Sequence, residues 1–431
     1  MARVVVVGGG LGGTAAAARL AKLGHEVALV ERSGSLGGVL LPVAADGFTW
    51  PQGPSVLLLP AVVRDLFRKT GRPLERELEL LPVPVVREHR FADGSSVRLP
   101  AGSRAAQLHA VEALGSGLGR QWVTHVDSLA ADWELMRRDY FERPWDPASG
   151  PRAVAARLAS RDTVDRRLRR GLHDPRLRLL AAHPLRSLGQ DPRRVPAWMA
   201  VWPYVEQRFG GWSPAGGTGA LAEAVASRLT TRGVDVHTST RARDVVVRAG
   251  RAVAVATDAG DLPADVVVCA VDPHLLPTLA AYVRRTDPAP LPPTTHLGLA
   301  GGQDDPAPEI VLHGDPDLVV RTTGAAPPGA SAWTVHGARP EALLTELARR
   351  GLDVRDRVVV RVDRSPQELL DQWGGSPLGV RWRGRGTVRR RLGPTTPVQG
   401  VYAAGAHATP GAGLPFVGLS AALVAQAVGP A

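Results

Sequence analysis

Arg3-Val-Val-Val-Val-Gly-Gly-Gly-Leu-Gly-Gly13, followed by Val27-Ala-Leu-Val-Glu31, is the stretch of this sequence that decides the fold. The apolar run that opens it predicts a buried strand of a parallel sheet, which ends abruptly in glycine. Gly8, Gly10 and Gly13 then stand at the spacing G-x-G-x-x-G. The first glycine allows a tight turn, the second lets the backbone approach a pyrophosphate, and the third lets a helix pack on the strand.

A helix and a second strand complete this unit. The alanine-rich segment Thr14–Leu23 predicts the helix, and Val27–Val30 predicts the strand. Glu31 ends that strand, 23 residues after Gly8, where a carboxylate can accept hydrogen bonds from both hydroxyls of an adenosine ribose. The order of these elements predicts a dinucleotide site. The alternative is a glycine-rich turn in an ordinary βαβ unit.

Two further glycine-containing turns follow. Gly37 and Gly38 come shortly after Arg32, and we expect them to bring backbone close to the cofactor a second time, with a plain turn as the alternative. Gly53-Pro54-Ser55 is also expected to bring backbone near a ligand, just before a predicted helix over Val62–Thr70.

Length and composition indicate a globular protein of two domains. With 431 residues, 44% of them hydrophobic and 22% charged, the chain can bury a large core. A net charge of +11 is typical of proteins that bind nucleic acid or anionic membranes, but Lys22 and Lys69 are the only lysines among the 52 basic residues. This arginine bias reflects composition as much as function, so we expect no nucleic-acid partner.

The single cysteine and the lack of long apolar runs narrow the protein class further. Cys269 alone gives no disulfide framework and no thiolate site, and we expect no metal. The first strand begins almost at Met1, which predicts no signal peptide. No apolar run reaches ~18 residues without charge or proline, which predicts no membrane-spanning helix. The expected location is the cytoplasm, with attachment to a membrane surface as the alternative.

The middle of the chain has weaker patterns. Strands are predicted over Leu78–Val86 and Phe91–Leu99, and a helix over Glu341–Arg350. Further strands are predicted over Val234–His237, Ala242–Arg248, Arg251–Thr257 and Asp265–Ala270. Five tryptophans fit either a roof over an elongated apolar ligand or ordinary core: Trp122, Trp133, Trp145, Trp198 and Trp202.

A second glycine-rich motif lies near the end of the chain, between Gly400 and Ser420. Val401–Ala404 predicts a strand, which Gly405 ends, and Leu419–Val428 predicts a helix. The connection between them holds four glycines and two prolines, more than a surface loop needs. It is therefore interpreted as a ligand-binding loop rather than a merely flexible one.

Taken together, these motifs resemble those of bacterial phytoene desaturases, which are carotenoid-forming flavoproteins of the flavin amine oxidase fold group. The resemblance lies in Gly47-Phe48, Gly53-Pro54-Ser55, Leu66-Phe67, Phe91-Ala-Asp-Gly-Ser-Ser96, Gln372-Trp373 and the closing motif. One departure stands out, because the family usually has a histidine before the Pro-Gly pair. This chain has Thr409 there, with His407 two residues earlier.

The resemblance implies an α/β fold with a Rossmann-type FAD-binding domain assembled from separate segments. These segments are residues 1–71, 206–272 and 396–431. Residues 72–205 and 273–395 would then form an α+β domain that binds the substrate.

The resemblance also implies a set of FAD contacts. The backbone of Ala242 would contact the adenine side, and the N-terminus of the last helix would face the flavin. The predicted cofactor-binding residues are Gly8, Gly10, Leu11, Gly12, Gly13, Glu31, Arg32, Gly37, Gly38, Gly53, Pro54, Ser55, Ala242, Gly405, Ala406, Pro415, Phe416 and Val417.

The activity implied by the resemblance is desaturation of an apolar, isoprenoid or carotenoid-like substrate, with hydride transfer to flavin N5. No acid–base pair can be assigned; His407 is a candidate for catalysis, although a structural or cofactor-contacting role is favoured. Related flavoenzymes act as amine oxidases, isomerases, saturases or dehydroxylases, and a prenyl-binding escort protein of the same fold holds no flavin. These alternatives remain open at the level of sequence.

A basic run near the end of the second domain has two interpretations. Arg381-Trp-Arg-Gly-Arg385 and Arg389-Arg-Arg391 either dock on an anionic membrane surface or form a solvated strand face. The solvated strand is the preferred interpretation.

Overall fold

The computed structural model describes residues 1–302 and 306–431. In this part of the chain the strands, numbered β1 to β20, are Arg3–Val7, Glu26–Val30, Pro42–Ala45, Phe48–Pro51, Leu57–Leu58, Leu80–Val83, Val85–Arg90, Ser96–Pro100, Gly211–Pro214, Asp235–His237, Ala242–Arg248, Arg251–Thr257, Gly260–Pro263, Val266–Cys269, Thr294–Ala300, Glu309–Leu312, Leu318–Gly324, Ala330–His336, Val358–Arg364 and Val401–Ala403. The α-helices, α1 to α15, are Leu11–Lys22, Ala61–Thr70, Arg104–Glu112, Leu118–Asp127, Ala130–Met136, Arg152–Ala159, Val164–Gly171, Pro175–Arg186, Trp202–Phe209, Gly217–Thr231, Pro277–Val283, Leu343–Arg349, Pro366–Trp373, Thr387–Arg390 and Leu414–Val428.

A five-stranded parallel sheet joins the two ends of the chain. Its order is β10-β2-β1-β14-β20, so the first strand pairs with β2 on one side and with β14 on the other. The valines of β1 are buried on both faces, as expected for a central parallel strand. One face packs on α1, α10 and α15, and the other packs on the antiparallel sheet β11-β12-β13. This arrangement confirms the predicted α/β fold class.

The first helix begins earlier than the sequence pattern predicts. We predicted a start at Thr14, but α1 begins at Leu11, with Gly10 as its N-cap. Gly12 and Gly13 therefore lie inside the helix, where they allow close packing. The predicted strands from Ala242 to Thr257 have the observed bounds, whereas β13, a four-residue strand that follows a turn, was not predicted.

A seven-stranded sheet forms the centre of the second half of the molecule. Its order is β19-β15-β18-β17-β16-β7-β8, and only the pairing of β16 with β7 is parallel. The predicted strand over Leu78–Val86 is divided between β6 and β7, and the one predicted over Phe91–Leu99 begins only at Ser96. The reason is a turn at Asp93, whose carboxylate accepts hydrogen bonds from the backbone and hydroxyl of Ser95.

Helices α3 to α9 pack around an aromatic core. Trp122, Trp133 and Trp198 are buried in it, so these tryptophans belong to the core rather than to a ligand-facing roof. None of the described helices is both long enough and apolar enough to cross a membrane.

The segments assigned to the two predicted domains make extensive contacts. The hairpin of β3 and β4 lies in the predicted FAD domain but packs on β17 and β18 of the seven-stranded sheet. Trp50 of that hairpin donates a hydrogen bond from Nε1 to the carbonyl oxygen of Leu297, at 3.0 Å. The domain boundaries remain a prediction.

The basic run forms a loop and the short helix α14, so the interpretation as a strand face is wrong. Arg391 is buried with its guanidinium 4.8 Å from the ring centre of Trp382, which is also buried. Arg381, Arg383, Arg385 and Arg389 remain exposed. The run therefore combines a buried cation–π pair with an exposed basic surface.

Candidate active site

A large cavity lies at the carboxyl edge of the parallel sheet. Its volume is about 570 Å³, within the range of sites for cofactors and other small molecules. Gly8, Glu31, Ala270 and Gly405, which follow β1, β2, β14 and β20, all line it. Open α/β sheets bind their ligands outside the carboxyl ends of the strands, so this is the expected place for a dinucleotide.

Three glycines of the opening turn satisfy different geometric demands. Gly8 has a φ of +107°, a conformation that L side chains rarely adopt. A Cβ on Gly13 would lie 1.9 Å from the carbonyl oxygen of Gly8, so no side chain fits between α1 and the turn. Gly10 has an ordinary φ of −72°, and a Cβ there would meet none of the described atoms within 4 Å. Neither the backbone conformation nor the neighbouring protein atoms therefore require a glycine at position 10.

The two ends of the chain touch at the large cavity. A Cβ on Gly12 would lie 2.7 Å from the Cα of Gly405, so the opening helix and the closing loop are in close contact. Gly405 donates its backbone N–H to the hydroxyl of Ser420, and that hydroxyl donates to the carbonyl oxygen of Val417. The closing loop is thereby fixed to α15 and is not merely flexible.

The second glycine pair packs directly on the opening turn. Gly37 donates its backbone N–H to the carbonyl oxygen of Gly9 at 2.8 Å. A Cβ on Gly38 would lie 3.3 Å from the Cα of Gly10. This segment is thus part of the cavity wall and not an isolated turn.

The carboxylate of Glu31 is held at the cavity by backbone groups. One oxygen accepts a hydrogen bond from the N–H of Gly9 at 2.6 Å, and the other accepts from the N–H and hydroxyl of Ser33 at 2.8 Å. The oxygen that accepts from Gly9 has a further lone pair, so the group can still accept a hydrogen bond from a ligand. Its neighbour Arg32 also lines the cavity and donates to the carbonyl oxygens of Asp371 and Gln372 at the end of α13.

The last helix begins five residues earlier than predicted. We predicted a start at Leu419, but α15 begins at Leu414, because Pro415 occupies one of the first helical positions, where its missing N–H is not needed. Gly413 is the N-cap and makes no side-chain cap, and both Gly413 and Leu414 line the large cavity. The helix N-terminus, with roughly half a positive charge, therefore opens onto the cavity.

His407 lies in the cavity wall but is held by protein groups. Its Nε2 is 2.8 Å from the carbonyl oxygen of Ser376, to which it donates, and its Nδ1 is 3.6 Å from the carboxylate of Asp272. Burial lowers the pKa of His407, and the carboxylate of Asp272 offsets this only in part, so the imidazole is neutral at pH 7. The hydrogen bond to Ser376 holds the closing loop against the segment between α13 and α14. This contact supports a structural role for His407.

Most of the predicted site residues lie together in the wall of the large cavity, and five do not. Gly13 lies beneath the turn, and Ser55 and Pro415 line a second, smaller cavity next to the large one. Phe416 is buried in the aromatic core, with ring centres 4.8 Å from Phe141 and from Trp202. Ala242, half-buried at the start of β11, is not among the cavity-lining residues of the described chain. The residues in the large cavity are Gly8, Gly10, Leu11, Gly12, Glu31, Arg32, Gly37, Gly38, Gly53, Pro54, Gly405, Ala406, His407 and Val417.

Several cavity residues were not predicted from the sequence. Asp272 follows the buried strand β14 at the carboxyl edge of the sheet, and this position could have identified it. His183, Arg321 and His336 also line the cavity. They come from distant parts of the chain and carry no motif.

The lining of the large cavity fits FAD on chemical grounds. Two helix N-termini without side-chain caps, those of α1 and α15, supply backbone N–H groups to phosphates and to an electron-rich ring edge. The open space beside Gly10 admits a pyrophosphate, and Glu31 offers a carboxylate for the ribose hydroxyls. Gly8, Gly10, Gly12, Glu31 and Gly405 would hold the group.

Comparison with known proteins identifies the family. The family described as "Flavin containing amine oxidoreductase" matches residues 11–299. A zeta-carotene-forming phytoene desaturase of Myxococcus xanthus is 30% identical, over 98% of this chain and 93% of its own length. A 4,4'-diapolycopene oxygenase of a Methylomonas species is 26% identical, over 98% and 97%.

A solved structure shows the same fold. Cyclohexylamine oxidase from Brevibacterium oxydans aligns with a TM-score of 0.66 and 18% identity, over 99% of this chain and 98% of its own. The chain therefore belongs to the flavin-containing amine oxidoreductase family, among its carotenoid desaturases, and is an FAD-dependent oxidoreductase.

Proposed function

We propose that this protein desaturates an apolar isoprenoid substrate of the carotenoid type. The observation that carries the proposal is the convergence of both chain ends on one cavity, where Gly12 of α1 meets Gly405 of the closing loop. The relatives that match almost the whole chain are named for reactions on carotenoid-type polyenes. The structural resemblance to amine oxidases supports the fold alone.

The protein's own residues position the reactants. The large cavity has apolar walls from Leu188, Leu291, Val319 and Leu378, which can pack against a polyene. When bound, FAD would accept the hydride removed from one substrate carbon, while the neighbouring carbon loses a proton. The N-terminus of α15 favours negative charge at its end and would therefore favour an electron-rich form of a bound flavin.

Flavin content and product analysis test the proposal together. The purified protein should carry the yellow spectrum of FAD, either as isolated or after incubation with FAD. Incubated with acyclic isoprenoids of several chain lengths, it should form products with additional conjugated double bonds, seen by chromatography and absorption. A flavin-loaded protein that only isomerises or saturates these compounds would contradict the proposed reaction.

We also propose that the exposed arginines of the basic run bring the protein to an anionic membrane surface, where apolar substrates reside. Arg381 and Arg389 are exposed, and each arginine adds about 1 kcal/mol of attraction near such a surface. Replacing both by glutamine should reduce co-sedimentation with anionic liposomes and leave the fold intact, since the buried Arg391 is retained. Unchanged sedimentation would contradict this proposal.

A further inference from the structure

The small cavity next to the large one contains charged groups that a hydrocarbon does not require. Its volume is about 150 Å³, and most of its wall is apolar. The residues that it shares with the large cavity include Pro54, Leu188, Arg321, Gly413 and Leu414, so the two cavities lie side by side. Arg321 thus lies at the junction between the two.

Three neighbouring strands of the seven-stranded sheet supply the charges. Arg87 on β7, Glu309 on β16 and Arg321 on β17 all line the small cavity. Arg87 donates from Nε to Glu309 at 3.2 Å and from Nη1 to Glu206 at 2.6 Å. Arg321 lies opposite Glu309 in the strand register, with its Nε 3.6 Å from that carboxylate. Its Nη1 donates to the carbonyl oxygen of Gly53 at 3.0 Å.

The cluster is balanced in charge but has hydrogen-bond donors left over. Arg87 and Arg321 oppose Glu206 and Glu309, and His183 adds a hydrogen bond to Glu309 at 2.9 Å. Burial raises the pKa of Glu309, but this hydrogen bond and the two arginines outweigh it and keep the carboxylate ionised. Within residues 1–302 and 306–431, the Nη2 groups of Arg87 and Arg321 have no hydrogen-bond acceptor.

A hydrocarbon end group would therefore be a poor occupant of the small cavity. It would displace water from the guanidinium groups, which are half-buried in the cavity wall, and return no hydrogen bond, which is unfavourable for a charged donor. An anionic end group is not favoured either, because the ionised carboxylate of Glu309 lies beside both arginines and would repel it. A neutral oxygen that accepts hydrogen bonds satisfies both conditions.

We infer that the small cavity binds an oxygen-bearing end of the substrate, a terminal hydroxyl or carbonyl that accepts hydrogen bonds from Arg87 and Arg321. This inference rests on the proposed function and narrows its substrate class to isoprenoids already oxygenated at one end. The reaction that supplies the substrate is then a hydration or an oxygenation of a chain end.

Ligand affinities on the FAD-loaded full chain test the inference. Three acyclic isoprenoid polyenes of equal length are compared: a hydrocarbon, one with a terminal hydroxyl and one with a terminal aldehyde. At least one oxygenated polyene should bind about tenfold more tightly than the hydrocarbon, as expected for a hydrogen bond to a charged donor. Whichever oxygenated polyene binds more tightly identifies the group. Equal affinities of all three would overturn the inference.

A pair of variants locates the effect. Arg321→Met removes the donor at the junction and leaves Glu309 paired with Arg87 and His183, so the preference for the oxygenated end should fall to within about threefold. Arg357→Met is the matched control, because Arg357 also donates to backbone carbonyl oxygens on this sheet but lines neither cavity. A preference that survives Arg321→Met unchanged would contradict the role of this residue.

Different results would contradict the end-group inference and the proposed desaturation. The comparison of the three ligands uses the unchanged protein, so it tests the inference even if the Arg321→Met variant folds poorly. If all three polyenes are desaturated and bind with equal affinity, only the inferred end-group site is contradicted. Desaturation of none of them contradicts the proposed function itself.

Discussion

At the scale of single residues, the opening glycines separate what the fold needs from what a ligand needs. Gly13 is required by packing, since any side chain would collide with the carbonyl oxygen of Gly8. Gly10 has an ordinary backbone conformation and open space beside it, so its lack of a side chain serves a ligand. The spacing of the motif predicted both positions, but only the structure distinguishes their roles.

Gly10→Val should abolish FAD binding and leave the fold intact. The branched side chain would occupy the place of the pyrophosphate, and its Cβ would meet none of the described atoms within 4 Å. The variant's melting temperature without FAD should equal that of the unchanged apoprotein, and its flavin absorption should be lost. Gly386→Val is the control, because its surroundings are the flexible side chain of Arg390 and it lines neither cavity. Normal FAD retention by Gly10→Val would show that the cofactor lies elsewhere.

Buried histidines should make the protein less stable in mild acid. Burial, helped by the charge of Arg167, lowers the pKa of His125 from 6.5 to about 4. The unfolded chain then binds a proton between these values that the folded chain does not. Stability is therefore complete above pH 6.5 and falls as the pH drops towards 4, by about 2 kcal/mol at pH 5. His125→Gln should reduce the difference in unfolding free energy between pH 7.5 and pH 5 by this amount, and an unchanged difference would contradict the assignment.

At the scale of elements, the last helix, α15, lines the large cavity with one face and packs into the aromatic core with another. Successive residues of α15 point in directions about 100° apart, so Val417 lines the cavity while Phe416 faces Phe141 and Trp202. The motif spacing did not reveal this helical phase. Nor did it reveal where the helix begins, because Pro415 was interpreted as part of the loop. The sequence motif identified a segment that lines the cavity, but it did not show that Phe416 of this segment faces the aromatic core.

Replacing the two neighbouring residues of α15 should separate stability from cofactor binding. Phe416→Ala should lower the free energy of unfolding by about 3–5 kcal/mol, because a large buried side chain is lost. It should leave the flavin spectrum of the folded protein unchanged. Val417→Ala should have the smaller effect on stability and should weaken FAD affinity. Denaturant unfolding and FAD titration measure the two effects, and a reversed pattern would contradict the placement of these side chains.

At the scale of the whole molecule, the parallel sheet brings together the parts of the chain that the sequence identifies best. The fold and the cavity wall were predictable at Gly8–Glu31 and at Gly405, because local motifs encode them. The small cavity was not, because Arg87, Glu309 and Arg321 meet only through the pairing of distant strands. Nothing in the local sequence around each of these residues indicates its partners. The residues inferred to choose the substrate are therefore those that the sequence predicted least.

Anaerobic reduction of the bound flavin tests the central claim most directly. The FAD-loaded protein is mixed with an acyclic isoprenoid polyene in the absence of oxygen, and the absorption of oxidised flavin is followed. We predict that this absorption disappears while the polyene gains a conjugated double bond. Flavin that stays oxidised with every polyene, and is reduced by a primary amine instead, would contradict the account.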